Sequence, residues 1–345
     1  MKAALLRAPN EIACEIVPEP ELARGDLLVK VKAATVCGTD VRIFRGKKTT
    51  GIRYPSILGH EFAGEIVDTG GNTTFMCGEA VGVCPAIPCG HCANCKRGFE
   101  NICSNLIAIG YEIDGAFAEY IRIPARAVES ENVFRLPQNI SWEKASLVEP
   151  FSCVMNGQEK IEVSVGDFIV ILGAGPIGLM HIKLARYAGA YRIMVSEPNP
   201  ARRVAALSAG ADYAVDPTSE DLPERVKHET KGQGADKVIV AIGVPKLAND
   251  ALQLVRKRGF VSLFAGFSAS ETATLDVNAI HYGEIQVTGS FGLTRLQFER
   301  SLNMIAQGHI ELDSLLTHRF GLDQIDEALK TAENGSAIKV VVAHE

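Results

Sequence analysis

Four cysteines fall within 15 residues, as Cys89-x2-Cys92-x2-Cys95-x7-Cys103. Thiolates at this spacing suit a tetrahedral zinc ion. With every position filled by protein, none remains for a substrate, so the expected role is structural. An iron–sulfur cluster is the rival use of four cysteines. Its bacterial pattern has three residues before the last cysteine and a proline after it, whereas here the gap is seven and Ser104 follows. Only Lys96 and Arg97 are basic nearby, which argues against a nucleic-acid zinc knuckle. Arg7 interrupts the first apolar run, so no signal peptide is expected and metal binding is favoured over disulfides.

A second group is Gly173-Ala174-Gly175-Pro176-Ile177-Gly178, which fits G-x-G-x-x-G. Alone the pattern is weak. Here an apolar strand precedes it and a helix follows. The glycines permit a tight turn and close backbone approach to a pyrophosphate, and the helix N-terminus supplies free N–H groups. The next strand ends at Glu197, 19 residues after Gly178. A carboxylate there accepts from both ribose hydroxyls and repels a 2′-phosphate, so NAD is expected over NADP. Arg202 joins this candidate cofactor set. It and Arg203 are the cations in reach of a 2′-phosphate, but their place on the next helix reads better as a solvated face. The competing reading is a glycine turn that binds nothing.

A third group is scattered. Cys37-Gly38-Thr39-Asp40, Gly59-His60-Glu61 and Leu147-Val148-Glu149-Pro150 each offer metal-ligand types, and spacing alone does not join them.

The elements that carry these residues have two textures. The first 150 residues read as short strands, at Leu27 to Ala33, Phe62 to Val67 and Ala116 to Ile123, without a long amphipathic helix. This suggests a barrel-like all-β domain with function on its loops. After about residue 160, strands alternate with helices. Strands are expected at Phe168 to Leu172, Arg192 to Ser196, Tyr213 to Val215, Lys237 to Ile242, Phe260 to Ala265 and Ile285 to Gly289. Helices are expected at Pro176 to Ala188, Pro200 to Ala209 and Lys246 to Lys257. Such alternation argues for a doubly wound parallel sheet. Phe298, Leu302 and Ile305 form a helical stripe beyond it.

Composition bounds the reading. A chain of 345 residues suggests two domains. Hydrophobic residues at 47% and charged residues at 22% exclude intrinsic disorder. A net charge of −6 disfavours nucleic acid, and the most apolar stretch, Phe168 to Met180, is too short and too glycine-broken to span a membrane.

Taken together, the three groups make the chain resemble the zinc-dependent medium-chain alcohol dehydrogenases, over essentially its whole length. The resemblance is closest to the polyol branch of sorbitol and threonine dehydrogenase types, whose third metal position is a Glu-Pro glutamate like Glu149-Pro150. Gly59-His60-Glu61-x2-Gly64 is similar to the family's zinc signature. The resemblance implies an α/β protein. A GroES-like β-barrel catalytic domain would span 1–153, with a zinc lobe at about 85–105. A Rossmann domain would span 154–294, and a segment 295–345 would return to the catalytic domain. It also implies two zincs per chain. Cys37 and His60 would be direct ligands of the catalytic ion, with Glu61 and Glu149 as alternatives for the third. Thr39 would relay the alcohol proton, and Asp40 would orient the histidine. The implied protein is a cytoplasmic dimer or tetramer whose partners are a small alcohol or ketone, with no nucleic acid and no membrane.

Some residues depart from the family pattern. Arg42 stands where a histidine often passes the proton on, and a guanidinium cannot act as a base. It becomes a substrate candidate instead. The Arg-Tyr pair of sorbitol dehydrogenases is absent from Gly289-Ser290-Phe291-Gly292-Leu293, and Gly78-Glu79-Ala80-Val81 replaces Gly-Asp-Arg-Val. The expected activity is therefore NAD-linked interconversion of a secondary alcohol and its ketone, with a polyol, sugar acid or sugar phosphate as substrate. The alternatives are a zinc-free quinone or enone reductase, and a dinucleotide-binding regulatory or structural protein with a relict zinc site. Cys14, Cys77, Cys84 and Cys153 read as small core residues.

Overall fold

The computed structural model describes residues 1–267 and 271–343. The chain divides into two units. One comprises Met1–Cys153 and the chain from Gly292 onward, and the other Val154–Phe291.

In the first unit the central strand is Leu27–Thr35. Leu27, Val29 and Val31 are fully buried and alternate with half-buried residues, so one face is turned to the core. From Ala33 the alternation stops, and Ala33, Ala34 and Thr35 are all buried. This end is also paired along both edges, by Glu61–Asp68 on one and Lys339–Ala343 on the other. The wider sheet runs Val133–Arg135, Ala80–Val83, Glu61–Asp68, Leu27–Thr35, Lys339–Ala343, Leu316–Gly321, with Tyr120–Ile123 also on the central strand. Thr35 sits directly opposite Glu61 in the register. The last glycine of the Gly59-to-Gly64 motif has a packing reason. A Cβ at Gly64 would lie 2.3 Å from the Lys30 carbonyl of the paired strand.

The second unit holds a six-stranded sheet, in order Tyr213–Val215, Arg192–Ser196, Phe168–Leu172, Ala235–Val240, Val255–Leu263, Gln286–Gly289. Every pairing is parallel. The strand order reverses between Phe168–Leu172 and Ala235–Val240. Ligands bind such sheets in the crevice at that switch, beyond the carboxyl ends of the strands. All five residues of Phe168–Leu172 are buried, as a strand with both faces covered requires.

Several expectations change. The helix expected over Lys246 to Lys257 is Pro245–Leu254, and Val255 to Lys257 already belong to a strand. Val255 pairs with Ala235, and this buried β-branched contact outweighs continuation of the helix. The strand expected over Ala116 to Ile123 is regular only at Tyr120–Ile123. The first region is not free of a long helix at its end, since Val148–Lys160 starts within it and carries Glu149-Pro150 in its first turn. Proline is tolerated there because the first-turn N–H groups have no partner to lose. Cys84 is buried, but Cys77 is exposed in the turn before Ala80–Val83, where its thiol donates to the Val67 carbonyl. Among the described residues no helix is long and apolar enough to cross a membrane.

Candidate active site

Beyond the buried end of Leu27–Thr35, Cys37 caps the short helix Gly38–Phe44. Its sulfur accepts from the Thr39 N–H at 3.5 Å, and its own N–H donates to Asp40 Oδ2 at 2.9 Å. The reciprocal cap fixes the buried Asp40. Its other oxygen lies 3.3 Å from His60 Nδ1, within ion-pair range but not aligned as a hydrogen bond. With Nδ1 facing Asp40, Nε2 is the nitrogen left for a metal. His60 ends the loop into Glu61–Asp68. The donor atoms of Cys37, His60 and Glu61 all lie within 4.8 Å of one another.

Glu61 is held more firmly than its neighbours. Lys339 Nζ lies 2.8 Å and 2.6 Å from its two carboxylate oxygens, and the Thr35 hydroxyl donates to Oε2. Glu61 and Lys339 are 1% and 3% exposed, so their charges are balanced by each other rather than by water. Burial works against the lysine's charge, yet Glu61 outweighs it and raises the lysine's pKa. Glu149 lies outside the three-residue cluster. Its Oε1 accepts from the Cys153 thiol at 3.7 Å, one helical turn on. Burial first, and the Glu61 charge next, push its carboxyl up to about 7, against the lowering effect of His60 and Lys339. The structure thus brings Glu61, not Glu149, into the cluster, and keeps Glu149 within its field.

Thr39 is half-buried, and its hydroxyl makes no hydrogen bond to the described residues. Arg42 is half-buried on the same helix. Two residues at this site were not singled out in the sequence. Tyr111 Oη lies 3.3 Å from His60 Nε2, with ring centroids 5.1 Å apart. Lys48 Nζ lies 4.9 Å from the centre of the Tyr111 ring. Lys339 was also missed. Its signal is a lone lysine heading the apolar run Lys339-Val340-Val341-Val342-Ala343, which a buried counter-charge must answer.

The four-cysteine lobe is built differently, from one continuous loop. The Cys92 sulfur lies 3.5 Å from that of Cys95 and 3.9 Å from that of Cys103. All are free thiols. Backbone N–H groups of Cys89, Cys92, Cys95 and Asn105 point at these sulfurs over 3.2–3.5 Å. The Cys95 amide first, and that of Ser104 next, lower the Cys92 thiol to about 5.

In the second unit, Gly175 caps the helix Pro176–Tyr187 and has open space where its Cβ would be. A Cβ at Gly178 would lie 2.0 Å from the Gly173 carbonyl, which ties helix to strand. Ile177 follows Pro176 in the first turn. Glu197 is buried at the end of Arg192–Ser196. It accepts from the Ala174 N–H at 2.8 Å and the Asn199 N–H at 2.9 Å, so it braces the glycine loop. The solvated face expected for Arg202 and Arg203 is not found, because both are half-buried. Arg203 is drawn in by Asp216 at 3.1 Å and by the carbonyls of Glu197 and Pro198.

Comparison with known proteins identifies the family. Residues 23–137 match the alcohol dehydrogenase GroES-like domain, and residues 176–307 match the zinc-binding dehydrogenase domain. The chain is 35% identical to the L-threonine 3-dehydrogenase of Pyrococcus furiosus, over 98% of this chain and 97% of that protein. The chain belongs to the zinc-dependent medium-chain alcohol dehydrogenases. Within the family it falls in the polyol and threonine branch, being also 32% identical to the sorbitol dehydrogenase of Bacillus subtilis over 96% and 93% of the two chains. A protein of Sinorhizobium meliloti 1021, described as a zinc-binding dehydrogenase and solved with NADP, is 31% identical. It covers 99% of each chain with a TM-score of 0.92. The chain is accordingly an alcohol dehydrogenase that uses a nicotinamide cofactor.

The residues fit the metal that the family implies. Four sulfurs at about 2.3 Å from one zinc stand about 3.8 Å apart, and the sulfur separations of 3.5 and 3.9 Å bracket that value. The second cluster offers one sulfur, one nitrogen and one carboxylate, the three protein donors of a catalytic zinc site.

Proposed function

We propose that the chain oxidises a secondary alcohol to its ketone with NAD, at a zinc site formed by Cys37, His60 and Glu61. Glu149 stands beside them as an exchanging or water-mediated partner. When bound, zinc supplies Lewis acidity toward the carbinol oxygen and the nicotinamide supplies the hydride acceptor. The protein's own residues do the rest. Thr39 receives the hydroxyl proton and passes it outward. Asp40 holds His60 in the tautomer that leaves Nε2 to the metal. Lys339 and Thr35 fix the carboxylate of Glu61. The four-cysteine lobe holds a second, closed zinc that contributes stability. The observation that carries this reading is the convergence of the Cys37, His60 and Glu61 donors within 4.8 Å, with Asp40 behind the histidine.

The NAD preference rests on Glu197. A buried carboxylate pinned by two backbone amides cannot swing away from a 2′-phosphate, and Arg203 is already engaged by Asp216. Comparing kcat/KM for NAD and NADP tests this. NAD is expected to be preferred by at least about tenfold, and Glu197→Ser is expected to narrow the gap. Equal values in the wild type would refute the assignment. Arg42, on the helix that Cys37 caps, supports a hydroxyl-rich or charged substrate over a simple alkanol. The reading also places the protein in the cytoplasm.

A further inference from the structure

We propose that Tyr111 is a fourth protein donor to the metal of Cys37, His60 and Glu61, closing that site until a substrate oxygen displaces it. The inference rests on the zinc reading of that cluster and deepens it. The loop that carries Tyr111 is bound to the loop that carries His60. Backbone N–H groups of Gly115, Ala116 and Phe117 donate to the carbonyls of Ile57, Gly59 and Leu58, at 2.7, 2.8 and 2.9 Å. Two glycines allow this approach. A Cβ at Gly115 would lie 2.3 Å from the Gly59 carbonyl oxygen, and one at Gly110 would lie 3.0 Å from the same atom. Gly110 also has a φ of +79°, in the left-handed region that favours glycine. Its N–H donates to the Ile113 carbonyl at 2.9 Å, so the turn holding Tyr111 is closed on itself. The tyrosine is thus delivered to the histidine by fixed backbone contacts.

The distance it is delivered to fits ligation better than hydrogen bonding. Tyr111 Oη lies 3.3 Å from His60 Nε2. Hydrogen bonds between nitrogen and oxygen ordinarily span about 2.7–3.2 Å. Two donors sharing a tetrahedral zinc, a nitrogen at about 2.0–2.1 Å and an oxygen at about 2.0–2.2 Å, stand about 3.3–3.5 Å apart. The observed separation falls in the second range. Nε2 is also the nitrogen that Asp40 leaves for the metal. It is the hydroxyl's one side-chain hydrogen-bond partner among the described residues. Once the metal takes the lone pair of Nε2, the hydroxyl loses that partner, and the metal itself offers the replacement. Burial raises the pKa of the hydroxyl first of all, His60 opposes it and Cys37 adds to the rise, so the hydroxyl stands in the field of two of the three donors. A tyrosine oxygen is a known kind of metal ligand, as on haem iron. The cluster then has two states. In one, all four donors come from the chain, as in the four-cysteine lobe. In the other, the tyrosine is displaced and the position is open. Only the second admits a small ligand, so the apparent affinity of any such ligand is reduced by the fraction of molecules that are open.

The first test needs no variant. In a crystal structure of the zinc-loaded protein, free of cofactor and substrate, Tyr111 Oη is expected within about 2.2 Å of the zinc at Cys37, His60 and Glu61. The second test is azide binding to the cobalt(II)-loaded protein, followed by visible absorption. The lobe, with four sulfurs, has no position for azide, so the response reports the other cluster. A phenol that holds the fourth position about nine-tenths of the time weakens the apparent affinity about tenfold. Tyr111→Phe is accordingly expected to bind azide about tenfold more tightly. A tyrosine that only donates a hydrogen bond to a ligand of the metal gives the opposite sign, weaker azide binding in Tyr111→Phe, and that result would overturn the proposal. So would an azide affinity that the substitution leaves unmoved, or a zinc separated from Oη by a hydrogen-bond length of about 2.7 Å or more. A wild type whose lobe takes up zinc while Cys37, His60 and Glu61 hold none would overturn the zinc reading beneath it as well.

Discussion

The four-cysteine lobe and the Cys37, His60 and Glu61 cluster stand in the same unit and each gather metal-ligand donors within 4.8 Å, yet they are made in opposite ways. The lobe draws all its donors from one loop of 15 residues, and its own backbone amides point at the sulfurs. The open cluster is assembled by strand pairing. Cys37 follows one strand, His60 precedes its neighbour, and the lysine that balances Glu61 arrives on a third strand, 278 residues away in sequence. A closed site can be folded locally, because its task is to hold. A site that keeps a position open, as proposed for the second cluster, needs its remaining donors fixed from outside, and the buried partners Asp40, Thr35 and Lys339 stand where they would do that.

The sharpest way to break this contrast is to remove one sulfur from each. Cys37→Ser is expected to lower turnover by about a thousandfold or more with little change in melting temperature. Cys95→Ser should act first on stability, since structural zinc contributes folding free energy outright. Thermal unfolding and NADH formation on the same preparations would show it. Loss of stability without loss of turnover in Cys37→Ser would reverse the two roles.

A smaller effect is expected from the remote lysine. Lys339→Met leaves the buried Glu61 charge unanswered and should cost about 3–5 kcal/mol in metal-free protein. The loss should shrink on adding zinc, and also when Glu61→Gln is combined with it, because the pair is then removed together. Urea unfolding with and without zinc measures both. A cost that ignores zinc would mean that Glu61 does not face the metal.

The lobe offers the matching, weaker case. Glu100, between Cys95 and Cys103, is gripped by Arg295 through Nε at 3.0 Å and Nη2 at 2.5 Å, and the same arginine donates to the Ser130 carbonyl. Arg295→Met should destabilise by about 1–3 kcal/mol, the range of a partly buried charge-assisted contact, and leave the zinc content unchanged. Loss of zinc in that variant would show that the lobe depends on outside support after all.

The same difference governs what could be read from the sequence. The cysteine pattern announces its own site, because ligand spacing along one loop is spacing in space. The glycine motif is similarly local, and the parallel sheet around it follows from alternating strands and helices. Cys37 and His60 carried no such signal. They were joined through resemblance to a family, and the structure then brought their donors together. The choice between Glu61 and Glu149 was not legible, since it depends on which strand lies opposite Thr35. Lys339, Lys48 and Tyr111 were missed for the same reason. Each acts through a partner brought near by pairing or by a loop turning back, and periodicity does not encode that. The helix beginning at Val148 was not legible either, since most of it lies beyond the first 150 residues and Pro150 stands in its first turn, where proline is tolerated.

The most direct measurement is zinc content per chain by elemental analysis, on wild type, Cys37→Ser and Cys95→Ser, with NADH formation followed on the same samples. Two zincs are expected in the wild type, one for each cluster. Each variant should lose one, and Cys37→Ser should be inactive while it keeps the lobe's zinc. A single zinc in the wild type, iron in place of zinc, or a Cys37→Ser protein that keeps both ions and its turnover would contradict the account.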